Sequence, residues 1–535
     1  METVAPPPAP ARSATRTLAP PAWLVGAGVL VALVGLLPIG YLLVLAGSSD
    51  DALSLVLRDR TVGVLGRTLL LAATVTAASV LIGVPMAWLT TRSDLPGRRW
   101  WTILGILPLV VPSYVGGYAV VAAFGPRGAL QSLLEPLGVA RLPELYGFPG
   151  AALALTLFSF PYVVLSVRGA LLRMDPAYEE VSRSLGRGPW RTFFTVSVPQ
   201  LRPAITAGAL LVALYSLADF GAVSLLQFDS FTRAIYVQYR ASFDPTLAAV
   251  LALMLVACTA GVLLAESRLR GRARYHRSGG GAQRTAAIVH LGAWRWPALA
   301  FCALVVGLAV AVPIGTIGFW FIRGITAGEP LTLVLDATLN SIVASGLAAV
   351  LAVLASIPVA VLAVRHRGML AATVERATYA GFALPGIVIG LAFVFVAARY
   401  LPWIYQTLPL LLVAYLVRFV PEAVGITRAS LLQVSPRIEE VARTLGRPPA
   451  AVLRQVTLPI IRPGLMAGGA LVFLTAMKEL PTTILLAPTG FDTLAVRIWS
   501  ATSEGFFARA AAPALLMVIV AALSLGFVLR QERDR

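Results

Sequence analysis

Lysine is almost missing from this chain: there is one, Lys478, in 535 residues whose lysine and arginine together number 43. A phosphate-binding loop of the form G-x-x-x-x-G-K-[ST] needs lysine directly after glycine, to reach the β- and γ-phosphates. Lys478 follows Met477, so this chain builds no ATP site of that kind. Cysteine is nearly as scarce. Cys258 and Cys302 both fall inside apolar runs, where they read as small buried residues rather than a disulfide or metal site. His276, His290 and His366 stand in loops or at the edges of apolar runs, without ligand spacing. No nucleophile–base pair or metal motif suited to a membrane-embedded hydrolase is legible. Charge is thin as well. At 13% of residues it is about half of what an ordinary soluble domain carries, roughly 25%.

What the chain has instead is apolar sequence, 58% of residues. A bilayer core of about 30 Å takes about 20 apolar residues in a helix. Runs of that length begin near Ala22, Thr68, Trp101, Ala151, Ala204 and Leu247, and again near Trp296, Ser341, Ala377, Leu408, Gly464 and Ala512. The expectation is an all-α polytopic membrane protein with about 12 transmembrane helices. The net charge of +18 is not the footprint of a nucleic-acid partner. Arginines such as Arg92, Arg98, Arg99, Arg365 and Arg454 collect in alternate connections, which the positive-inside bias places in the cytoplasm together with both termini.

The opening METVAPPPAPARSATRTLAPP reads as a disordered cytoplasmic tail over residues 1–21. The apolar run after it is too long for the core of a cleaved signal and is expected to stay. A second polar stretch, SRLRGRARYHRSGGGAQR, reads as a cytoplasmic linker over residues 267–294. It separates a first half, residues 22–266, from a second, residues 295–530, with a short tail over 531–535.

The halves repeat. TLLLAATVTAASVLIGVPMAWL from Thr68 aligns with SIVASGLAAVLAVLASIPVAVL from Ser341, matching Pro85 to Pro358, and Pro112 matches Pro385 at the same offset of 273. Further along, EEVSRSLGRGPWRTFFTVSVPQLRP (residues 179–203) returns as EEVARTLGRPPAAVLRQVTLPIIRP (residues 439–463), at an offset of 260 with twelve identities in twenty-five. The first half therefore carries about 13 extra residues, best placed in the external loop around residues 127–148. Six spans per half is an even number. The halves are parallel repeats about an axis along the membrane normal, and their polar segments face one compartment as a pair. That geometry suits a partner that is itself a twofold dimer.

Each polar copy reads as a short helix, a glycine turn and a return to the bilayer. Asp175-Pro176 and Ser435-Pro436 are helix starts, a capping residue followed by proline in the first turn. Glu179, Glu180, Glu439 and Glu440 fall in the opening turns, where the helix dipole favours negative charge. Gly186 and Gly446 end the helix, and Pro199 and Pro459 mark the entry to the next span. These residues and spacings resemble the EAA loop of ABC importer permeases. The departures are Val181 and Val441 at the first alanine position and Ser182 at the second. The resemblance implies a coupling helix seated in a cleft of the ATP-hydrolysing subunit, with Glu180, Gly186, Glu440 and Gly446 as the contact residues. It also implies two copies of a cytoplasmic ATPase that bind the ATP, so the chain itself is no enzyme and holds no cofactor.

Two acids lie inside the predicted spans. Asp219 and Glu479 align at the 260 offset, each 16 residues past the second proline at the start of its span, Pro203 or Pro463. At 1.5 Å per residue that is about 24 Å along the helix, near the outer end of the bilayer core. Intramembrane charges face a bundle interior or a water-filled cavity. One reading is a pore or outer-gate pair. The other is structural, with Lys478 pairing to Asp219 or Glu479 and pinning the halves together. Arg418 and Glu422 are spaced as an i,i+4 pair. Just beyond the acids, QFDSFTRAIYVQY from Gln227 and GFDTLAVRIWSAT from Gly490 align on Phe-Asp and share Ile235/Ile498 and Tyr236/Trp499. The aromatics read as anchors at the membrane–water boundary or as part of a docking surface for an external delivery protein.

These outer stretches, with ADFGAVSLLQFDSFTRAIY and MKELPTTILLAPTGFDTLAVRIWSATSEGFFARAA, resemble the fused two-half permeases of ferric-iron ABC importers. The resemblance implies an extracytoplasmic binding protein that delivers the ion, in an inner membrane. Related fused permeases carry thiamine, polyamine or other small solutes. A proton-coupled secondary carrier also has two parallel six-helix halves, with Asp219 and Glu479 as its titrating groups, but it has no use for matched coupling loops.

Overall fold

A computed structural model describes residues 20–48, 52–125, 128–138, 145–175, 177–241, 245–269, 288–329, 332–366 and 368–533. The opening tail up to residue 19 and most of the linker, residues 270–287, lie outside the described residues. In lipid, a backbone with no water partner must satisfy its own hydrogen bonds, and the apolar runs accordingly fold as helices. The first half contains α1 (Ala22–Gly47), α2 (Asp59–Arg92), α3 (Arg98–Ile106), α4 (Ser113–Phe124), α5 (Phe148–Arg173), α6 (Ala177–Ser184), α7 (Val198–Ala218), α8 (Gly221–Leu225), α9 (Phe231–Ala241) and α10 (Pro245–Leu269). The second contains α11 (Arg295–Val306), α12 (Val312–Thr326), α13 (Thr332–Arg365), α14 (Met369–Ala380), α15 (Gly386–Tyr400), α16 (Leu408–Gln433), α17 (Pro436–Thr444), α18 (Leu458–Met477), α19 (Pro481–Leu486), α20 (Leu494–Ser503) and α21 (Phe507–Arg533).

Among the described residues nine helices are long and apolar enough to cross a membrane alone. A bent pair, Arg98–Val110 with Ser113–Phe124, turns by 101°, and two shorter apolar helices, Gly386–Tyr400 and Phe507–Ala522, complete six crossings per half. The offsets read from the sequence are kept in space. Helices α2 and α13 both have 34 residues, and α5 and α16 both have 26. The prolines inside them, Pro85 and Pro358, then Pro161 and Pro421, also correspond. Each removes one backbone donor from its helix. Of the extra external residues in the first half, a short helix, Ala129–Leu134, is described.

Helices α2, α5 and α7 form the packed centre of the first half, and α13, α16 and α18 that of the second. Small residues allow the close approach: a Cβ at Gly208 on α7 would come within 2.9 Å of the Val163 Cα on α5. The first span of each half leaves its own centre. Helix α1 packs on α13, α14 and α15 as well as α10, while α11 and α12 pack on α3 and α4. The halves are thereby interlocked. Hydrogen bonds reinforce the seam, from Tyr118 Oη to the Phe507 carbonyl at 2.9 Å and from Tyr114 Oη to Met517 Sδ at 2.8 Å. The segment entering the second half is strapped to the loop after α2. There Val289 pairs with Ser93, Leu291 N donates to Asp94 Oδ1 at 2.9 Å, and His290 Nδ1 meets Asp94 Oδ2 at 3.0 Å.

Candidate coupling and gate sites

Helices α6 and α17 are the two polar repeats. Both end as the sequence requires. Gly186 has φ +79° and Gly446 has φ +82°, the left-handed region in which glycine carries no Cβ penalty. Arg187 N returns to the Ser182 carbonyl, and Arg447 N to the Ala442 carbonyl, so both helices close with a Schellman motif. The starts differ. Asp175 Oδ1 accepts from Ala177 N at 3.0 Å, whereas the Ser435 side chain makes no capping bond and Pro436 alone starts α17.

The paired glutamates point in different directions. Glu439 is buried and accepts from Thr457 Oγ1 at 3.1 Å and from Arg365 Nε at 3.0 Å. Glu179 accepts from Ser197 Oγ at 2.8 Å. The next residues, Glu180 and Glu440, are exposed. No side chain lies within 4 Å of a Cβ placed at Gly186 or Gly446. Each handle thus offers its second glutamate and its glycine turn to the outside, while the first glutamate ties it to the chain.

What it is tied to was not legible beforehand. Ser197 and Thr457 close matched π-helical turns, Phe193–Ser197 and Leu453–Thr457. Such turns are single-turn insertions that recur at functional sites. Pro199 and Pro459 follow at the first turn of α7 and α18. Arg187 reaches Thr195, and Arg447 reaches Gln455, across the same turn in each half. The shared hydroxyls at a fixed distance from the first glutamate were the available signal. Arg92 and Arg365, the last residues of α2 and α13, read from sequence only as positive-inside charges. In space both lie against the handles. Arg365 holds Glu439 and the Val434 carbonyl. Arg92 donates from Nη2 to the Leu171 carbonyl at 3.1 Å, and its Nε and Nη1 are buried without partners.

At the far ends of α7 and α18 the spans do not continue as the sequence reading assumed. Both helices stop before the acids and restart as α8 and α19. Asp219 Oδ1 accepts from Ala222 N and Val223 N at 3.0 and 3.2 Å. Glu479 Oε1 accepts from Thr482 N at 3.2 Å and Thr482 Oγ1 at 2.8 Å. Both carboxylates therefore cap the short helix that follows a break. A break needs such acceptors, because it exposes backbone donors in an apolar setting.

The expected partnership of Lys478 is corrected. Among the described residues it forms no ion pair within 4 Å, and the charge that acts on it is Glu422. Arg418, not Lys478, approaches Glu479, at 4.0 Å. Nor do Arg418 and Glu422 form the i,i+4 pair: Arg418 Nη1 donates to the Leu384 carbonyl and Glu422 accepts from Thr475 Oγ1 at 3.0 Å. The cause is the break after α18, which turns Glu479 toward α19.

Tyr236 and Trp499, expected as boundary anchors or part of a docking surface, take part in a ring contact between the halves. Both pack on the buried ring of Phe220 with centroids 5.0 Å away, and on each other at 6.5 Å. Rings from both halves thus meet across the seam. Beside them lies a cavity of about 370 Å³ lined by residues of both halves, among them Ser224, Gln227, Arg233, Thr502 and Glu504.

With handles at one end of α7 and α18 and the seam closed at the other, the comparison with known proteins is decisive. The binding-protein-dependent transport system inner membrane component family matches residues 79–274 and 352–534. The chain belongs to that family. The two matched segments fall one in each half, as the repeat demands. Among its relatives, the Fe(3+)-transport system permease protein FbpB 2 of Haemophilus influenzae is 34% identical over 521 residues, covering 96% of this chain and 98% of that protein. The ferric transport system permease protein FbpB of Actinobacillus pleuropneumoniae is 25% identical over 490 residues, 87% of this chain and 71% of its own length. The molybdenum transport system permease protein ModB of Escherichia coli is 35% identical over 161 residues, 29% of this chain and 69% of its own. As a member of this family the chain is an inner-membrane transport component.

Proposed function

We propose that this family member is the permease of an ATP-driven importer of ferric iron. The observation that carries the cargo is the 34% identity to a ferric permease along 96% of the chain, both halves included. The molybdenum permease matches only 29% of the chain, about the length of one half's core, and supports the general architecture rather than the cargo. An external binding protein delivers the ion, and two copies of a cytoplasmic ATPase seat on α6 and α17. The polar repeats face the cytoplasm, with both termini on that side.

Helices α7 and α18 are the transmission. Each is tied to a handle at its first turn through Ser197 or Thr457 and ends at Asp219 or Glu479 beside the seam. Their 21 and 20 residues span about 30 Å at 1.5 Å per residue, the thickness of the bilayer core. ATP-driven closure of the ATPase dimer draws the handles together and tilts these helices. Their outer ends then part the Phe220–Tyr236–Trp499 contact, and hydrolysis resets it. A ferric ion is hard and takes oxygen donors; Tyr215, Asp219 and Glu479 offer such oxygens along the way.

Uptake of radiolabelled ferric iron by iron-starved cells, with and without this gene, tests the cargo, and co-purification of an ATPase with the tagged chain tests the class. The proposal expects uptake to fall without the gene and an ATPase to be bound. A bound ATPase with unchanged iron uptake refutes the cargo alone and points to another small solute. Absence of a bound ATPase moves the proton-coupled carrier to the front.

A further inference from the structure

Because α1 crosses to the second half, its first turn comes to lie against the handle α17 and leaves a crevice of about 150 Å³ between them. One wall is apolar, from Leu24, Val361, Val452 and Leu453, and the other end is polar, from Arg365, His366, Glu439 and Arg443. Trp23 borders the crevice and is half exposed, as suits an indole at the membrane–water boundary. The charges do not cancel. Arg365 is committed to Glu439 and to the Val434 carbonyl. Arg443 stands 3.7 Å from the same carboxylate, and its Nε is buried with no hydrogen-bond partner. One cation therefore remains with donor capacity unused, at the depth where a span begins.

We propose that this crevice binds the headgroup of an anionic phospholipid. The phosphodiester oxygens accept from the Arg443 guanidinium, which suits phosphate recognition through paired donors. The acyl chains run along the outer face of α1, where Leu30 and Leu33 are exposed. A zwitterionic headgroup would bring its own ammonium beside Arg365 and Arg443, which like-charge repulsion disfavours. Basic pockets between helices on the cytoplasmic side are suited to anionic headgroups. The placement rests on the orientation proposed above. A lipid held here bridges α1 to α17 and steadies the second handle. Arg183, the counterpart of Arg443 at the 260 offset, is by contrast exposed on α6.

That difference supplies the control. The purified full chain is placed in nanodiscs of phosphatidylcholine alone or with phosphatidylglycerol added, and bound lipid is counted by native mass spectrometry beside the thermal unfolding midpoint. The readout depends neither on the ATPase nor on the cargo, so it fails or succeeds independently of them. Phosphatidylglycerol is expected to remain bound and to raise Tm by several degrees. Arg443→Gln weakens its retention about tenfold, the loss of one charge-assisted contact, while Arg183→Gln leaves it unchanged. Leu453→Phe, which fills the apolar wall without touching a charge, weakens it as well and serves if Arg443→Gln does not fold. Equal stabilisation by both lipids overturns the proposal, as does an equal loss in Arg183→Gln. Full protection by soluble glycerol phosphate likewise overturns the lipid assignment.

Discussion

Arg365 and Glu439 are joined by an ion pair, Nε to Oε1 at 3.0 Å, with both side chains largely buried. Their counterparts Arg92 and Glu179 occupy the same places in the first half, yet Arg92 leaves Nε and Nη1 unpartnered and Glu179 bonds Ser197. The two handles are therefore tied to their spans unequally. Among the described residues the second is clamped by an ion pair from α13 and by the turn before α18, whereas the first is bonded to the turn before α7 and has no ion pair to α2 within 4 Å.

The clamp should register as stability. Removing one partner of a largely buried pair strands the other charge, a loss of about 3 kcal/mol. Glu439→Gln should lower the unfolding midpoint of the purified chain markedly. Glu179→Gln keeps an acceptor for Ser197 Oγ, losing only its charge, and strands no ion-pair partner; it should cost about 1 kcal/mol or less. Equal losses in the two variants would contradict the asymmetry.

Asp219 and Glu479 act first as helix caps. Asp219→Asn keeps an acceptor for Ala222 N and Val223 N and should preserve the fold, whereas Asp219→Ala should cost about 1 kcal/mol as a lost cap. Transport that survives Asn but not Ala marks a capping role. Transport lost in both, with the ATPase still bound and Tm unchanged in Asn, marks a role for the charge itself.

The ring contact across the seam should seal the outer face. Trp499→Ala removes the second half's contribution to the Phe220–Tyr236–Trp499 cluster. In a background with Cys258 and Cys302 replaced, a cysteine introduced at Ser224 should then react several-fold faster with a membrane-impermeant maleimide added from outside. An unchanged labelling rate would show that the rings do not close the path.

The strap between the halves should depend on pH. Hydrogen bonds from the Leu291 amide, and then from His290, hold the exposed Asp94 carboxyl below its ordinary range. A depressed carboxyl stabilises above its unfolded value, about 4, and the contribution is lost as pH falls through the lowered folded value. Exchange protection of the Leu291 amide should therefore be greater in the wild type than in Asp94→Asn at neutral pH. The two should converge in acid, well below pH 4.

Much of this architecture was legible because the halves repeat. Offsets of 273 and 260 located paired spans, paired glycine turns and paired acids without any coordinates. The crossing-over of α1 was not legible, since an evenly apolar helix carries no mark of which bundle it joins. Arg92 and Arg365 were read by their compartment, because a charge at the end of a span looks alike whether it meets water or a glutamate 74 residues on. Lys478 reads from sequence as a partner of Asp219 or Glu479. The chain break at Glu479 reorients it relative to α18, and only coordinates reveal that turn. Tyr236 and Trp499 suit a membrane boundary by composition, and their shared contact with Phe220 is a feature that offsets between repeats do not reveal.

The central claim is that α6 and α17 are paired handles for ATPase subunits, and Gly186 and Gly446 give the most direct test. Both sit at positive φ in open space, where aspartate is among the better tolerated side chains. A double Gly186→Asp, Gly446→Asp variant should stay folded in the membrane while placing new charge on the outward surface of each handle. Co-purification of the ATPase and iron uptake are measured together, with Tm as the check on folding. The account predicts a folded chain that retains neither ATPase nor uptake. A folded double variant that binds the ATPase and transports normally would contradict it.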